Sequence, residues 1–199
     1  MTTKLILIRH GATKWNLEKR YTGFSDLCLH YTGIEQAKLL CKRLKNEVIY
    51  KIYSSDRKRA IQTAKIIFKD RKIHKSANLR ELHFGIFEGL NYKEIMEKYP
   101  VIYRKWLDNP FYINIPKGEK IKDFRKRIIN SIKKIISANN GKTIAIVSHG
   151  GAISIFINHI LKSKNFWKTI PGSASLSIVE FNNNKFKIKN LNDISHLNG

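Results

Sequence analysis

Leu5-Ile6-Leu7-Ile8-Arg9-His10-Gly11, near the start of the chain, and Ile144-Ala145-Ile146-Val147-Ser148-His149-Gly150, in its last third, share one design. Each is an unbroken apolar run rich in β-branched residues that ends in a polar residue, a histidine and a glycine. A strand without polar alternation is buried on both faces, as parallel strands are when helices cover them on either side. Between the two runs the pattern turns helical. Thr32 and Glu35 have capping-box spacing, and Ile34, Ala37, Cys41 and Leu44 then recur at helical intervals to about Lys45. Val48 to Tyr53 reads as a second short strand, with Ser54-Ser55 as the cap of a helix through Ile61, Ala64, Ile67 and Phe68. Strands alternating with helices predict an α/β fold, a three-layer α/β/α sandwich with a largely parallel central sheet.

Further along, Leu79 to Gly89 is a loop, and Asn91 with Glu94 caps a short helix that Pro100 interrupts. Asn109 to Gly118 is a surface excursion carrying Pro110 and Pro116. Phe124, Ile128, Ile132, Ile135 and Ile136 mark a long amphipathic helix that Asn139-Asn140-Gly141 stops. A helix follows from Gly150 to Leu161. Leu176 to Phe181 and Lys185 to Leu191, joined by three asparagines, predict a hairpin at the sheet edge, and the last residues are expected to be loose. The chain of 199 residues has no internal repeat or low-complexity linker, so one domain over 1–199 is expected.

The net charge of +23 is the outlying quantity. It would suit a polyanion partner, but the composition offers a plainer origin: 28 Lys against 10 Arg, with 30 Ile and 17 Asn, the residues of A/T-rich codons. The lysines are spread along the whole chain, whereas nucleic-acid recognition concentrates them in a stripe with aromatic platforms. No specific nucleic-acid partner is expected. No apolar stretch approaches the roughly 18 residues of a membrane helix, so no membrane partner is expected either. Two cysteines, Cys28 and Cys41, form no disulfide framework, and the reading is cytoplasmic.

In open α/β sheets, ligands sit beyond the carboxyl ends of the strands, which is where His10 and His149 both fall. A glycine after each allows a sharp turn and close backbone approach. The surrounding residues extend the pattern: His10-Gly11-Ala12-Thr13-Lys14-Trp15-Asn16, Arg20-Tyr21-Thr22-Gly23, Arg59-Ala60-Ile61-Gln62-Thr63, Glu81-Leu82-His83-Phe84-Gly85 and Ser148-His149-Gly150. In this order and at these separations they resemble the histidine phosphatase superfamily, which includes the cofactor-dependent phosphoglycerate mutases. The likeness runs from about Leu5 to Ile160.

The resemblance implies that His10 is the nucleophile, that Arg9, Arg59 and His149 bind the phosphoryl oxygens, and that Glu81 gives and takes the proton. It places Asn16, Thr22, Gly23 and Gly150 among the phosphate and substrate contacts. The residue types suit the chemistry. A phosphoryl group spreads charge over three equatorial oxygens, so catalysis is positioning and electrostatics. A guanidinium holds two oxygens at once, and two guanidinium groups disfavour protonation of His10. Neither metal nor cofactor is expected. Glu81 needs a raised pKa, against the pull of the arginines. Arg57 rivals Arg59 for its role, and Glu81 has pairing with Arg80 as its structural alternative.

Two segments depart from the family pattern. Cys28-Leu29-His30 stands where relatives commonly have Pro-Leu-Thr, and Pro116-Lys117-Gly118-Glu119-Lys120 where many read Pro-Gly-Gly-Glu-Ser. Neither is expected to touch the phosphate pocket. Mutases carry a longer segment between the glutamate loop and the second histidine, with paired arginines for a carboxylate. Here Leu90 to Lys117 offers Lys93, Lys98, Arg104, Lys105 and Lys117 without an Arg-Arg pair. The expectation is a phosphomonoesterase acting on a small phosphorylated substrate, closest to short phosphatases such as alpha-ribazole phosphatase. The alternatives are a phosphoglycerate mutase or an idle basic nucleic-acid-binding module. The oligomeric state stays open, with a homodimer among the options.

Overall fold

The computed structural model describes residues 1–198. Its sheet has six strands: β1 (Thr3–Arg9), β2 (Lys51–Ser55), β3 (Ile73–Ser76), β4 (Thr143–Ser148), β5 (Leu176–Asn182) and β6 (Lys185–Asp193). They lie in the order β3-β2-β4-β1-β5-β6. The first four in that order are parallel, while β5 and β6 join antiparallel as the expected hairpin at the edge. Asn183 and Asn184 make its turn, both at positive φ (47° and 59°), a region asparagine tolerates better than most residues.

The unbroken apolar runs follow from the pleat. Leu5 and Leu7 of β1 join Ile144 and Ile146 of β4 in one buried cluster, while Ile6 and Ile8 join Ala145 and Val147 in another. Adjacent residues point to opposite faces, so a strand with apolar residues at every position has a core on both. Among the described residues, seven α-helices flank the strands in sequence: α1 (Lys14–Leu17), α2 (Tyr31–Arg43), α3 (Lys58–Phe68), α4 (Tyr92–Lys98), α5 (Pro100–Asp108), α6 (Ile121–Ser137) and α7 (Gly150–Leu161). Leu40 of α2 and Ala60, Ala64 and Ile67 of α3 pack into the second cluster. Phe124, Ile128 and Ile132 of α6, Phe156 of α7, and Tyr103 and Trp106 of α5 pack into the first. A core Leu or Ile buried from water is worth about 1.5–3 kcal/mol, so the two cores fix the sheet between them.

Register decides where the site lies. β1 and β4 are neighbours, with Ile8 opposite Val147 and Arg9 opposite Ser148. His10 and His149 therefore leave the same carboxyl end of the sheet one residue later.

Several local expectations are corrected. α2 starts at Tyr31 and its cap is His30, whose Nδ1 accepts from the Thr32 N–H at 3.3 Å, so Thr32-Glu35 is not a capping box. Ser54-Ser55 closes β2 rather than capping α3; the Lys58 N–H donates instead to Asp26 Oδ1 at 2.7 Å, a cap supplied by a distant loop. β2 begins at Lys51, since Val48 is 88% exposed and has no core to enter. β3 was not anticipated. Pro100 is the first residue of α5, a position where its missing N–H costs nothing, and Asn91 with Glu94 does form the capping box of α4. Where looseness was expected near the end, Ser195–Leu197 forms a 3₁₀ turn, with His196 Nε2 3.0 Å from the Ala174 carbonyl; the same expectation for Gly199 lies outside the described residues. No helix among the described residues is long and apolar enough to cross a membrane.

Candidate active site

The two strand-end histidines meet edge to face, with ring centroids 5.1 Å apart at 65°. Both are buried. His10 Nδ1 lies 2.7 Å from the Gly11 carbonyl oxygen, which can only accept, so the proton sits on Nδ1 and Nε2 carries the lone pair. Arg59 Nε donates to that Nε2 at 3.3 Å. Burial first, then the charges of Arg59 and Arg9, hold the His10 pKa well below 6.5. The imidazole is thus neutral and has one defined acceptor nitrogen. His149 is held neutral in the same way, by burial and then by Arg59; its Nε2 lies 2.8 Å from Ser55 Oγ, while its Nδ1 has no partner.

Arg59 is fully buried on α3. Its Nη1 donates to the Ser25 carbonyl at 2.7 Å and its Nη2 to the Gly23 carbonyl at 2.8 Å. Burial brings its pKa down to about 10, still charged at neutral pH. Its rival Arg57 lies instead over the Phe24 ring at 5.0 Å. On the other side, Arg9 Nη1 donates to the Pro171 carbonyl at 2.5 Å, while its Nε has no partner. Gly150 abuts it closely: a Cβ there would lie 3.3 Å from Arg9 Cζ.

Glu81 is 6% exposed. Its Oε1 accepts from the Leu82 N–H at 2.9 Å and its Oε2 from the Gly151 N–H, in the first turn of α7, at 2.8 Å. Desolvation raises its pKa above 4.5 against the two backbone N–H groups and the charges of Arg9 and Arg59, so the balance left open by the sequence falls to burial. Its alternative role is absent, because Arg80 pairs with Asp56.

The remaining expected contacts fall into place differently. Thr22 and Gly23 act here through their carbonyls on Arg59, and the Gly23 N–H is taken by Glu88 Oε1 at 2.9 Å. Asn16 is drawn into local structure: its Oδ1 accepts from the Thr13 N–H and hydroxyl, each at 3.0 Å, closing the cap of α1 and leaving only its amide N–H groups to meet a ligand.

Four supports went unread in the sequence. Ser55 holds His149; Glu88 collects the N–H groups of Gly23 and Ser25; Arg127 and Glu119 grip the Glu81 loop. Glu119 belongs to the departing segment Pro116–Lys120, which supports the Glu81 loop through Arg127 without itself touching His10, Arg9, Arg59 or His149. Thr63 was in the quoted motif without a role. Four residues after Arg59, it takes the Gly11 N–H at 3.0 Å and gives its own proton to the Arg59 carbonyl.

Buried neutral imidazoles at the end of a parallel sheet, flanked by two guanidinium groups and a carboxyl, define a class of enzyme built to handle an oxyanion. The model of the histidine phosphatase superfamily, branch 1, matches residues 5–194, and the chain belongs to that superfamily. It is 32% identical to a metal-independent phosphoserine phosphatase of Arabidopsis thaliana, a match covering 98% of this chain and 83% of the relative. It is 33% identical to a 2,3-bisphosphoglycerate-dependent phosphoglycerate mutase of Buchnera aphidicola, over 94% of this chain and 96% of that one. Among solved structures, a putative alpha-ribazole-5'-P phosphatase of Escherichia coli superposes with a TM-score of 0.88 at 26% identity, covering 96% of each chain.

Proposed function

We propose that the protein hydrolyses small phosphomonoesters through a phosphohistidine at His10. The observation that carries the reading is the fixed tautomer: with Nδ1 bound to the Gly11 carbonyl, His10 Nε2 is left unprotonated, its lone pair meeting only the Arg59 Nε–H at 3.3 Å, in a pocket that keeps the ring neutral. Nε2 attacks phosphorus as the ester P–O bond breaks, and protonated Glu81 gives its proton to the leaving alkoxide. Glu81, now ionised, takes a proton from water; the water oxygen attacks phosphorus, the N–P bond breaks, and inorganic phosphate leaves with His10 neutral again. Arg9, whose Nε is unpartnered, Arg59 and His149 stabilise the equatorial oxygens. Fixed guanidinium charge fills the part a metal ion plays elsewhere, so the reaction is metal-independent in this reading.

Hydrolysis is favoured over mutase chemistry by the cover of the site. Lys93, Lys98, Arg104, Lys105 and Lys117 are all exposed, so none is set into the protein as a clamp for a carboxylate. The alignment with the mutase extends over 223 positions against 199 residues here, so that relative carries insertions, whereas the phosphoserine phosphatase aligns over 200. The reading further takes the chain as one domain in a three-layer α/β/α arrangement, placed in the cytoplasm because Cys28 and Cys41 are both free.

The test supplies 3-phosphoglycerate, catalytic 2,3-bisphosphoglycerate and, separately, phosphoserine, each with and without chelator. Free phosphate and 2-phosphoglycerate are measured together. The expected outcome is phosphate release unaffected by chelator, well above isomer formation. Isomerisation outrunning phosphate release would make the protein a mutase.

A further inference from the structure

We propose that Arg127, gripped by Glu119, is the positioning residue for the acid-base carboxyl of Glu81. The inference rests on the acid-base role given to Glu81 above and goes beyond it, to what holds that group in place.

Glu81 sits on a stretch that leaves the 3₁₀ turn Ala77–Leu79 and has no regular structure for several residues. Its two carboxylate hydrogen bonds aim the side chain only as well as its backbone is fixed. The carbonyls of that backbone are captured one after another. Ser148 Oγ takes the Leu79 carbonyl at 2.8 Å. Arg127 takes three more: Nη1 donates to the carbonyls of Asn78 at 3.2 Å and Arg80 at 2.7 Å, and Nη2 to that of Glu81 at 2.8 Å. Its other two N–H groups hold both oxygens of Glu119, at 2.6 and 2.8 Å. All five donors of the guanidinium are thereby in use, in the planar fork that a lysine cannot copy.

The clamp stands on rigid ground. Arg127 is on the long helix α6, one turn beyond the buried Phe124, whose ring lies 4.8 Å beneath the guanidinium. Glu119 is tied to the same loop from the other direction, its N–H donating to the His83 carbonyl at 3.0 Å. Glu119 also neutralises Arg127, so the clamp fixes Glu81 in space without adding net charge beside it. A proton donor that must meet a leaving oxygen within hydrogen-bond reach gains directly from such fixing.

The test measures kcat and KM of Arg127→Lys, Arg127→Met and Glu119→Gln on an alkyl phosphomonoester and on p-nitrophenyl phosphate, each alone and combined with Glu81→Gln. Melting curves accompany them. With the fold intact, Arg127→Lys should lower kcat on the alkyl ester by about tenfold or more while KM stays within about twofold, since roughly 1 Å of misplacement is enough for such losses. The loss should be much smaller with the good p-nitrophenolate leaving group and should vanish in the Glu81→Gln background. If Arg127→Met does not fold, Arg127→Lys and Glu119→Gln decide the matter. An equal loss on both esters, or an undiminished one on top of Glu81→Gln, overturns the clamp. A Glu81→Gln enzyme with no leaving-group bias of its own strikes the acid role first, and the clamp with it.

Discussion

In the proposed reaction, one hydrogen bond at His10 determines which nitrogen attacks, and one competition at Glu81 determines whether a proton is available. Burial raises the Glu81 carboxyl above its ordinary 4.5 although two backbone N–H groups and two arginines oppose it. Donation to a leaving alkoxide needs the protonated form, which is lost as pH rises through that raised value. Phosphorylation of His10 by an alkyl ester should therefore slow on the alkaline side of a pKa above 4.5. In Glu81→Gln that limb should disappear, and single-turnover rates across pH with both ester types check it. A limb that persists in the variant would assign the titration to another group.

His10 and His149 were legible in the residues themselves, because each ends an unbroken apolar strand; Arg9, Arg59 and Glu81 were legible only through the family resemblance of the motifs around them. Their supports were not legible. Arg127 lies 46 positions from Glu81, and Ser55 lies 94 from His149, so only the folded chain brings them together. Nothing local distinguishes Arg127 from the other basic residues of α6. Ser55 even has the look of a helix cap, standing as it does just before Lys58.

Among the elements, the central strands and the β5–β6 hairpin declared themselves, and the opposite edge, β3, did not. β1 and β4 have two buried faces and so carry apolar residues at every step. β3, Ile73-His74-Lys75-Ser76, is a four-residue edge strand with no fully buried residue, and so has no pattern to show. Helix starts were misread wherever the cap came from elsewhere, as with Asp26 on α3. One packing contact binds these elements to the site: Gly33 in the first turn of α2 meets the loop after His10. A Cβ at Gly33 would lie 2.1 Å from the Ala12 carbonyl oxygen, and one at Gly11 would lie 2.4 Å from that of Gly33. Both obstacles are backbone, so nothing can swing aside. Gly33→Ala should destabilise the protein by about 1–3 kcal/mol, the usual result of overpacking, and lower turnover by displacing the His10 loop. Urea unfolding beside phosphatase assays would check it; unchanged stability would mean that α2 can slide away freely.

For the whole molecule, two consequences follow from charge. Apart from the bidentate Arg127–Glu119 and Arg80–Asp56 pairs, the described ion pairs involve Arg and Lys residues scattered over the surface, each pair partly exposed and individually worth little. The buried histidines matter more. His10 and His149 are neutral in the folded chain, held well below the 6.5 they recover on unfolding. Their contribution is intact above pH 6.5 and is lost as pH falls below it, because the unfolded chain then binds protons that the folded chain refuses. Each can cost up to about 1.4 kcal/mol per pH unit. Glu81, shifted upward, works in the opposite sense as pH falls toward 4.5, but it is one group against two. Unfolding free energy should therefore drop between pH 7 and pH 5, and His149→Asn should flatten the slope. A flat profile in the unaltered protein would mean that both imidazoles charge freely in the fold.

In the proposed reaction the phosphoryl group passes through His10, and trapping it there chemically decides the matter. The enzyme is mixed with a ³²P-labelled phosphomonoester in a rapid-quench device, stopped in alkali to preserve phosphohistidine, and digested for peptide mapping. Label should appear within the first turnover on the peptide that contains His10, be released by acid, and be absent from His10→Ala. Label on His149, on Ser55, or on no residue at all would contradict the account.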